Sequence, residues 1–318
     1  MVAPFEISLF TSSFQFVVFS ILNSQIVKEA ARQVGFDACG IAEASPLGED
    51  ELQLREWLAA GYHADMHYMA EHVEMRYDPR LLLSGARSVV SVLLGYKPSQ
   101  RVEGKAKIAQ YAYGQDYHER VKSMLFALIA SIRERYPDFE AKPCVDTVPI
   151  SDKHWAVRAG LGWIGRNTLL VNPALGSYCY IGELVTTAEV DQYDTPMESR
   201  CGDCRRCVDA CPNGCLTIGT GGGALNDARR CASYHTIENR AATLPDDVRL
   251  SGYAFGCDCC QLVCPYNIQA EPRYQLDDDH KSQLESLAQA DESTFKKITR
   301  HMALNRIKYP QWLRNLFS

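Results

Sequence analysis

From Ser24 onward, the hydrophobic positions of the chain follow two alternating patterns. Val27, Ala30, Ala31 and Val34 recur at helical spacing between Ser24 and Gly35, which predicts a helix capped by Ser24 and ended at the glycine. A second helix is predicted over 50–60, stopping at Gly61. The nearly continuous apolar run at 88–94 (SVVSVLL) reads as a buried strand. Val121, Leu125, Leu128, Ile129 and Ile132 predict a long amphipathic helix over 117–136, with Pro137 after it. Segments 142–148 and 178–187 read as strands. Between them a helix capped by Ser151 ends in the glycine-rich stretch 160–165. This mixture predicts an α/β (α+β) domain over 24–195.

The flanks have a different character. Residues 5–22 are largely apolar, yet no Lys or Arg precedes Lys28, Glu6 interrupts them, and the stretch is short for a membrane span. Residues 1–23 therefore read as an extension that packs on the protein or is disordered, and no membrane association is expected. A polar, proline-containing linker at 191–199 leads to a cysteine-rich domain over 196–275, in which 220–223 reads as a flexible loop. A basic, helical tail is expected over 276–318. From Asp291 to Ser318, Lys296, Lys297, Arg300, Arg306, Lys308 and Arg314 outnumber Asp291 and Glu292.

Composition sharpens this picture at one point. Apolar content of 46% with 23% charge is that of a folded protein, and a net charge of −6 argues against a generic nucleic-acid binder. The thirteen cysteines are unevenly placed, ten of them between Cys201 and Cys264. An odd count concentrated in one segment of a long chain indicates metal ligation in a reducing compartment rather than a disulfide scaffold.

The spacing identifies the metal. Cys201, Cys204, Cys207 and Cys211-Pro212 form the complete bacterial ferredoxin run, whose fourth cysteine ligates the other cluster in two-cluster proteins. The second run, Cys257, Cys260 and Cys264-Pro265, lacks its first ligand: position 254 is alanine. Cys231, between the runs and unclaimed, is the best candidate for the eighth thiolate. One [4Fe–4S] cluster then takes Cys201, Cys204, Cys207 and Cys264, the other Cys211, Cys231, Cys257 and Cys260. Zinc sites favour paired CxxC motifs instead of this pattern. Cys259 competes with Cys257, but the CxxC spacing favours Cys257. Cys215 reads as a buried filler, and Cys39, Cys144 and Cys179 as packed thiols.

Several motifs together resemble the epoxyqueuosine reductase family. They are Tyr111–His118 (YAYGQDYH), Val145–Pro149 (VDTVP), Ala159–Leu169 (AGLGWIGRNTL) and Gly182–Leu184. After the ferredoxin run come Cys231–Tyr234 (CASY) and Tyr253–Pro265 (YAFGCDCCQLVCP). The resemblance runs from about Ser24 to Arg314. It implies a cobalamin-binding domain like that of reductive dehalogenases, fed with electrons by the two clusters. It also implies reduction of epoxyqueuosine to queuosine at the wobble position of transfer RNA. By the same resemblance Asp146 stands at the proton donor. Met69, Asp146, Arg166, Asn167, Thr168, Leu170, Tyr178, Ile181, Leu184 and Ser233 are expected around the corrin. A cytoplasmic monomer served by an external low-potential electron donor is expected. A reductive dehalogenase and a ferredoxin-type carrier are the alternatives. The former usually has a twin-arginine signal, and no Arg-Arg precedes Arg205-Arg206; the latter does not need so large a first domain.

Removing an epoxide oxygen needs two electrons and two protons, so a positioned acid is required. For Asp146 to be protonated near neutral pH, burial would have to raise its pKa. Gly160, Gly162 and Gly165 would allow backbone to approach a flat cofactor, but they follow a helix, so no dinucleotide site is predicted. Asp65–Ala70 (DMHYMA) is part of a cobalt-ligand signature without its glycine, and no histidine ligand from the protein is expected. In the basic tail, Tyr309, Trp312 and Phe317 are candidate stacking partners for unpaired bases.

Overall fold

The computed structural model describes residues 21–219 and 223–318. The apolar stretch up to residue 20 and most of the loop expected at 220–223 lie outside the described residues. The helix Ser24–Val34 forms as predicted. Its cap is Asn23, whose Oδ1 accepts from the Ile26 amide, and Gly35 ends it at φ 104°.

Four strands make the central sheet: β1 (Ala38–Glu43), β2 (Ser88–Gly95), β3 (Ala141–Cys144) and β4 (Cys179–Thr186). Their order is β1-β2-β4-β3, and every pairing is antiparallel. The domain is therefore of the α+β kind. Strand β1 carried no legible signal, because it alternates small residues at the sheet edge. All of β2 is buried, since both faces of the sheet are covered. On one face Val90, Val92, Leu94 and Leu184 meet the helices Ser24–Val34 and Tyr117–Arg133 through Val27, Ala31, Val121, Leu125 and Leu128. On the other, Val89, Leu93 and Val185 meet Trp155 of the helix Asp152–Arg158 and Leu170.

The chain between β2 and the helix Tyr117–Arg133 leaves this domain and packs on the cysteine-rich one. Lys97 Nζ donates to the carbonyls of Asn267, at 2.9 Å, and Ala270. Lys107–Ile108 pairs in parallel with Tyr253–Phe255. Here a third core forms, joining Val102, Ile108 and Tyr113 to Phe255, Leu284, Phe295, Leu304 and Trp312. Residues 276–318 are thus a helical part of the folded body. Trp312 is 0% exposed, its indole donating to the Leu287 carbonyl, and Tyr309 donates to the Ala290 carbonyl. Both aromatics serve the core instead of standing free to stack, whereas Phe317 is 81% exposed. Arg314 caps the carbonyls of His235, Asn239 and Ala241. Trp312→Ala is expected to cost about 3–5 kcal/mol, read by urea unfolding; a loss below ~1 kcal/mol would contradict the core role. Among the described residues, no helix is long and apolar enough to cross a membrane.

Candidate active site

The cysteines gather into two groups. Cys201, Cys204, Cys207 and Cys264 are neighbours: burial pushes the Cys207 and Cys264 thiols up, and nearby sulfurs push the same way, Cys264 and Cys201 for Cys207, Cys201 and Cys204 for Cys264. The Trp163 indole donates to Cys201 Sγ at 3.4 Å, and Arg166 holds the Gly202 carbonyl at 2.6 Å. Cys211, Cys231, Cys257 and Cys260 form the second group; burial raises the Cys260 thiol, and Cys231, Cys207 and Cys211 add to it. Ala254 lies in the buried strand Tyr253–Phe255, and Cys231 stands in the second group of thiols.

Two further thiols sit in this second nest. Cys215 Sγ lies 3.2 Å from Cys211 Sγ, and its hydrogen bonds pull Cys211 down to about 5 and Cys231 down as well. Cys259 contacts Cys257 in the same way and is itself lowered. On spacing grounds both extra thiols are expected to be supports rather than ligands. Cys215→Ala and Cys259→Ala are each expected to keep full iron content, whereas Cys211→Ala loses one cluster, as iron analysis and EPR would show.

A cavity of about 330 Å³ lies against the second nest. Cys211, Cys231, Cys257 and Cys260 line one side, and Asn167, Thr168, Leu170, Ile181 and Ser233 line others. Buried polar atoms there have no partner within the protein: Asn167 Nδ2, Asp258 Oδ1 and Asn226 Oδ1. Burial pushes Asp258 up to about 6, against hydrogen bonds from Gln110.

Tyr111 also lines a second cavity, of about 380 Å³, with Tyr68, Asp116, Tyr117, His118, Asp146, Asn305 and Arg306. Asp146 has φ 45°, and the Thr147 amide reaches back to the Val145 carbonyl, so the aspartate sits at the apex of a tight turn. This conformation is unfavourable for most side chains and is tolerated by Asp. Both donors to its carboxylate converge on Oδ2: Tyr117 Oη at 2.6 Å and His118 Nε2 at 2.9 Å. The other ring nitrogen of His118 lies 2.7 Å from Asp116 Oδ1, which also caps the helix by accepting the His118 amide.

The charge state of Asp146 differs from expectation. Desolvation pushes its carboxyl up, but the hydrogen bonds from His118 and Tyr117, with the charges of His118 and Arg306, outweigh it and the net shift is down. Its side chain is 55% exposed, so water still screens the carboxylate. His118 moves up: the bond to Asp146 dominates, desolvation opposes it, and Asp116 adds to the rise.

Comparison with known proteins places this arrangement. A family model described as epoxyqueuosine reductase QueG, DUF1730, matches residues 76–147, and one for a 4Fe-4S double cluster binding domain matches 200–267. An epoxyqueuosine reductase of Cyclobacterium marinum is 40% identical over 302 residues, covering 92% of this chain and 96% of that protein. The chain belongs to the epoxyqueuosine reductase family. The structure of the Streptococcus thermophilus epoxyqueuosine reductase matches with a TM-score of 0.81 at 31% identity, over 93% of this chain and 80% of that one. An epoxyqueuosine reductase crystallised with an epoxyqueuosine-modified tRNA stem loop matches at 0.79 and 28%, over 92% and 79%.

Within this epoxyqueuosine reductase fold, five of the residues expected around the corrin line the first cavity: Asn167, Thr168, Leu170, Ile181 and Ser233. Asp146 lines the second. Leu184 does not line either; it is 0% exposed on the sheet face packed against the long helix. Arg166 turns to the Gly202 loop, Met69 packs on the core beneath the sheet, and Tyr178 is buried with its hydroxyl taking a bond from Gln110. The glycines also differ from expectation. A Cβ on Gly160 would meet the Thr195 carbonyl at 2.7 Å and one on Gly162 would run into the Val171 carbonyl, so the protein's own backbone fills that space. Asp65 accepts from Tyr234 at 2.6 Å, and His67 is exposed. The residues given no role from sequence are Asp116, Tyr117 and His118. Their signal was an Asp-Tyr-His cluster at the start of the longest helix among the described residues.

Proposed function

We propose that this chain reduces epoxyqueuosine to queuosine at the wobble position of transfer RNA, using cobalamin and electrons carried by its two clusters. One observation carries the reading. The second cysteine nest walls a cavity that shares Tyr111 with the pocket of Asp146, so an electron path and a proton donor converge on one place.

The first cavity suits a corrin. Its apolar lining from Ala109, Leu170, Ile181 and Ala232 matches a flat macrocycle, and its unpartnered amide and carboxyl atoms match a rim of amide side chains. Asn167, Thr168 and Ser233 would hold that rim. When bound, cobalamin supplies a cobalt centre that collects electrons singly and delivers a pair to carbon.

The residues of the chain do the rest. The Cys201 group lies among exposed residues, Gly202, Asp203, Arg205 and Arg206, where an external low-potential donor can dock. The Cys211 group beside the cavity would hold the cluster that passes the electrons on. The Asp146 pocket takes the modified base, with Asn305 and Arg306 on its rim and Asp146 Oδ1 uncommitted among the described donors. The protein is proposed to act on tRNA in the cytoplasm as a monomer.

The test is anaerobic turnover of reconstituted protein, cobalamin and a low-potential reductant on epoxyqueuosine-containing tRNA. Nucleosides are then analysed by mass spectrometry. Loss of one oxygen from the base, dependent on cobalamin, supports the reading. No conversion by protein holding both clusters and cobalamin refutes it.

A further inference from the structure

The lowered Asp146 pKa poses a chemical problem. A carboxylate anionic in the free protein has no proton to give to a departing oxygen, and the tight turn that presents it does not supply one. The proton is one bond away. His118 Nε2 lies 2.9 Å from Asp146 Oδ2, and Nδ1 lies 2.7 Å from Asp116 Oδ1, so each ring nitrogen faces a carboxylate. Neither nitrogen is left as a free acceptor, and the geometry is that of a doubly donating imidazolium.

We infer that Asp116 and His118 form a relay that loads Asp146 with each proton it gives to the substrate oxygen. His118 and Asp116 are positioning residues: they act through Asp146. The inference rests on the reaction proposed above.

Two opposing fields act on His118. It is the second residue of the helix Tyr117–Arg133, whose N-terminal dipole disfavours a cation. Two carboxylates at hydrogen-bond distance outweigh that, since charge-assisted bonds are stronger than the dipole's pull. The other groups facing the pair are Tyr117, whose ring stacks on the imidazole at 4.0 Å, Tyr68, Tyr111, Arg306 and Glu238 around the pocket, and the buried carboxyls of Asp152 and Glu183, which feel the charge of Asp146. Arg306 is paired with Glu238 at 2.7 Å, which mutes its pull on Asp146.

Substrate binding supplies the switch. In the free protein the Asp146 side chain is 55% and that of His118 29% exposed, and water stabilises the separated charges. A base seated in the pocket expels that water. An adjacent carboxylate and imidazolium in a drier site favour the neutral pair, reached by moving one proton from Nε2 to Oδ2. Asp146 is then the acid that the chemistry requires. Both epoxide C–O bonds break, a carbon–carbon double bond forms, and the oxygen leaves as water. Two electrons enter from the external reductant through the clusters and two protons pass through Asp146. His118 is reprotonated from solvent after each transfer.

The test has two parts. In the first, the imidazoles of isotopically labelled protein without substrate are titrated by NMR. His118 is expected to titrate above 6.5, and in Asp116→Asn its pKa falls; titration at or below 6.5 in the unmodified protein overturns the relay. In the second, the pH dependence of single-turnover deoxygenation is measured. The rate should fall as pH rises through the raised His118 pKa. His118→Gln should slow turnover about 10²–10⁴-fold and abolish that alkaline limb, with iron content and cobalamin binding unchanged. Asp116→Asn should move the limb to lower pH. An unaltered rate and pH profile in His118→Gln overturns the relay. If the unmodified protein converts no epoxyqueuosine, the reaction assigned above fails, while the NMR titration still decides whether His118 is a cation.

Discussion

Asp146→Asn is expected to reduce deoxygenation about 10²–10⁴-fold while substrate affinity stays within a few-fold. Asparagine is the more informative replacement. It tolerates the positive φ of 45° as aspartate does, and its side-chain oxygen can still accept from Tyr117 and His118. What it cannot do is take a proton from Nε2 and pass it on. Asp146→Ala adds a backbone penalty of about 1–2 kcal/mol at that turn, so a loss in alanine alone would mix strain with chemistry. The measurement is a single-turnover time course under anaerobic conditions with binding of the modified stem loop determined separately. Retention of more than about a tenth of the rate by Asp146→Asn would show that the proton comes from elsewhere. Tyr117 is the nearest other donor. However, burial raises its phenol, and the negative Asp146 beside it raises it further, so it holds its proton firmly and orients the carboxylate instead.

The parts of this site written locally in the chain were legible in the sequence; those assembled across it were not. The ferredoxin spacing is local, so it proposed a set of cluster ligands, and the absence of a cysteine at 254 pointed to Cys231; the structure brings these thiols into two groups. The long helix and strand β2 were legible because one buries a single stripe and the other both faces. The apolar and aromatic residues of the last segment were misleading. Trp312 and Tyr309 follow helical spacing among basic residues, which fits a surface grip on RNA as well as it fits a core. Only the excursion 97–113, which brings Ile108 and Tyr113 to meet them, decides for the core. Leu184 shows the same limit at one-residue resolution. Alternate residues of β4 face opposite sides, and the cavity takes Ile181 whereas the helix side takes Leu184. The pKa direction of Asp146 was illegible for a further reason. Burial alone would raise it, and the outcome is reversed by two hydrogen bonds from residues nearly thirty positions earlier in the chain.

Cys231→Ala is expected to halve the iron content, erase one of two cluster EPR signals and bring turnover to background. The argument is geometric. Cys231 precedes the helix Ala232–Ile237 and belongs to the nest that walls the first cavity, so the cluster it is proposed to complete would be the last station before the substrate. The other group, around Cys201 and Cys264, does not line that cavity. Removing a ligand there, as in Cys264→Ala, should also halve the iron, yet a small-molecule reductant could still reach the inner cluster and sustain part of the turnover. The pair of variants thus separates the two stations: inner loss is fatal with any reductant, outer loss chiefly with a protein donor. Cys215 lies within reach of Cys211 and Cys231, so the decisive control is Cys231→Ala with Cys215→Ala. If Cys231→Ala alone retains the full iron content and the double variant loses half, Cys215 has taken up the vacant coordination site. If both retain it, the second cluster does not depend on Cys231, and the order of electron transfer drawn from the cavity walls is wrong.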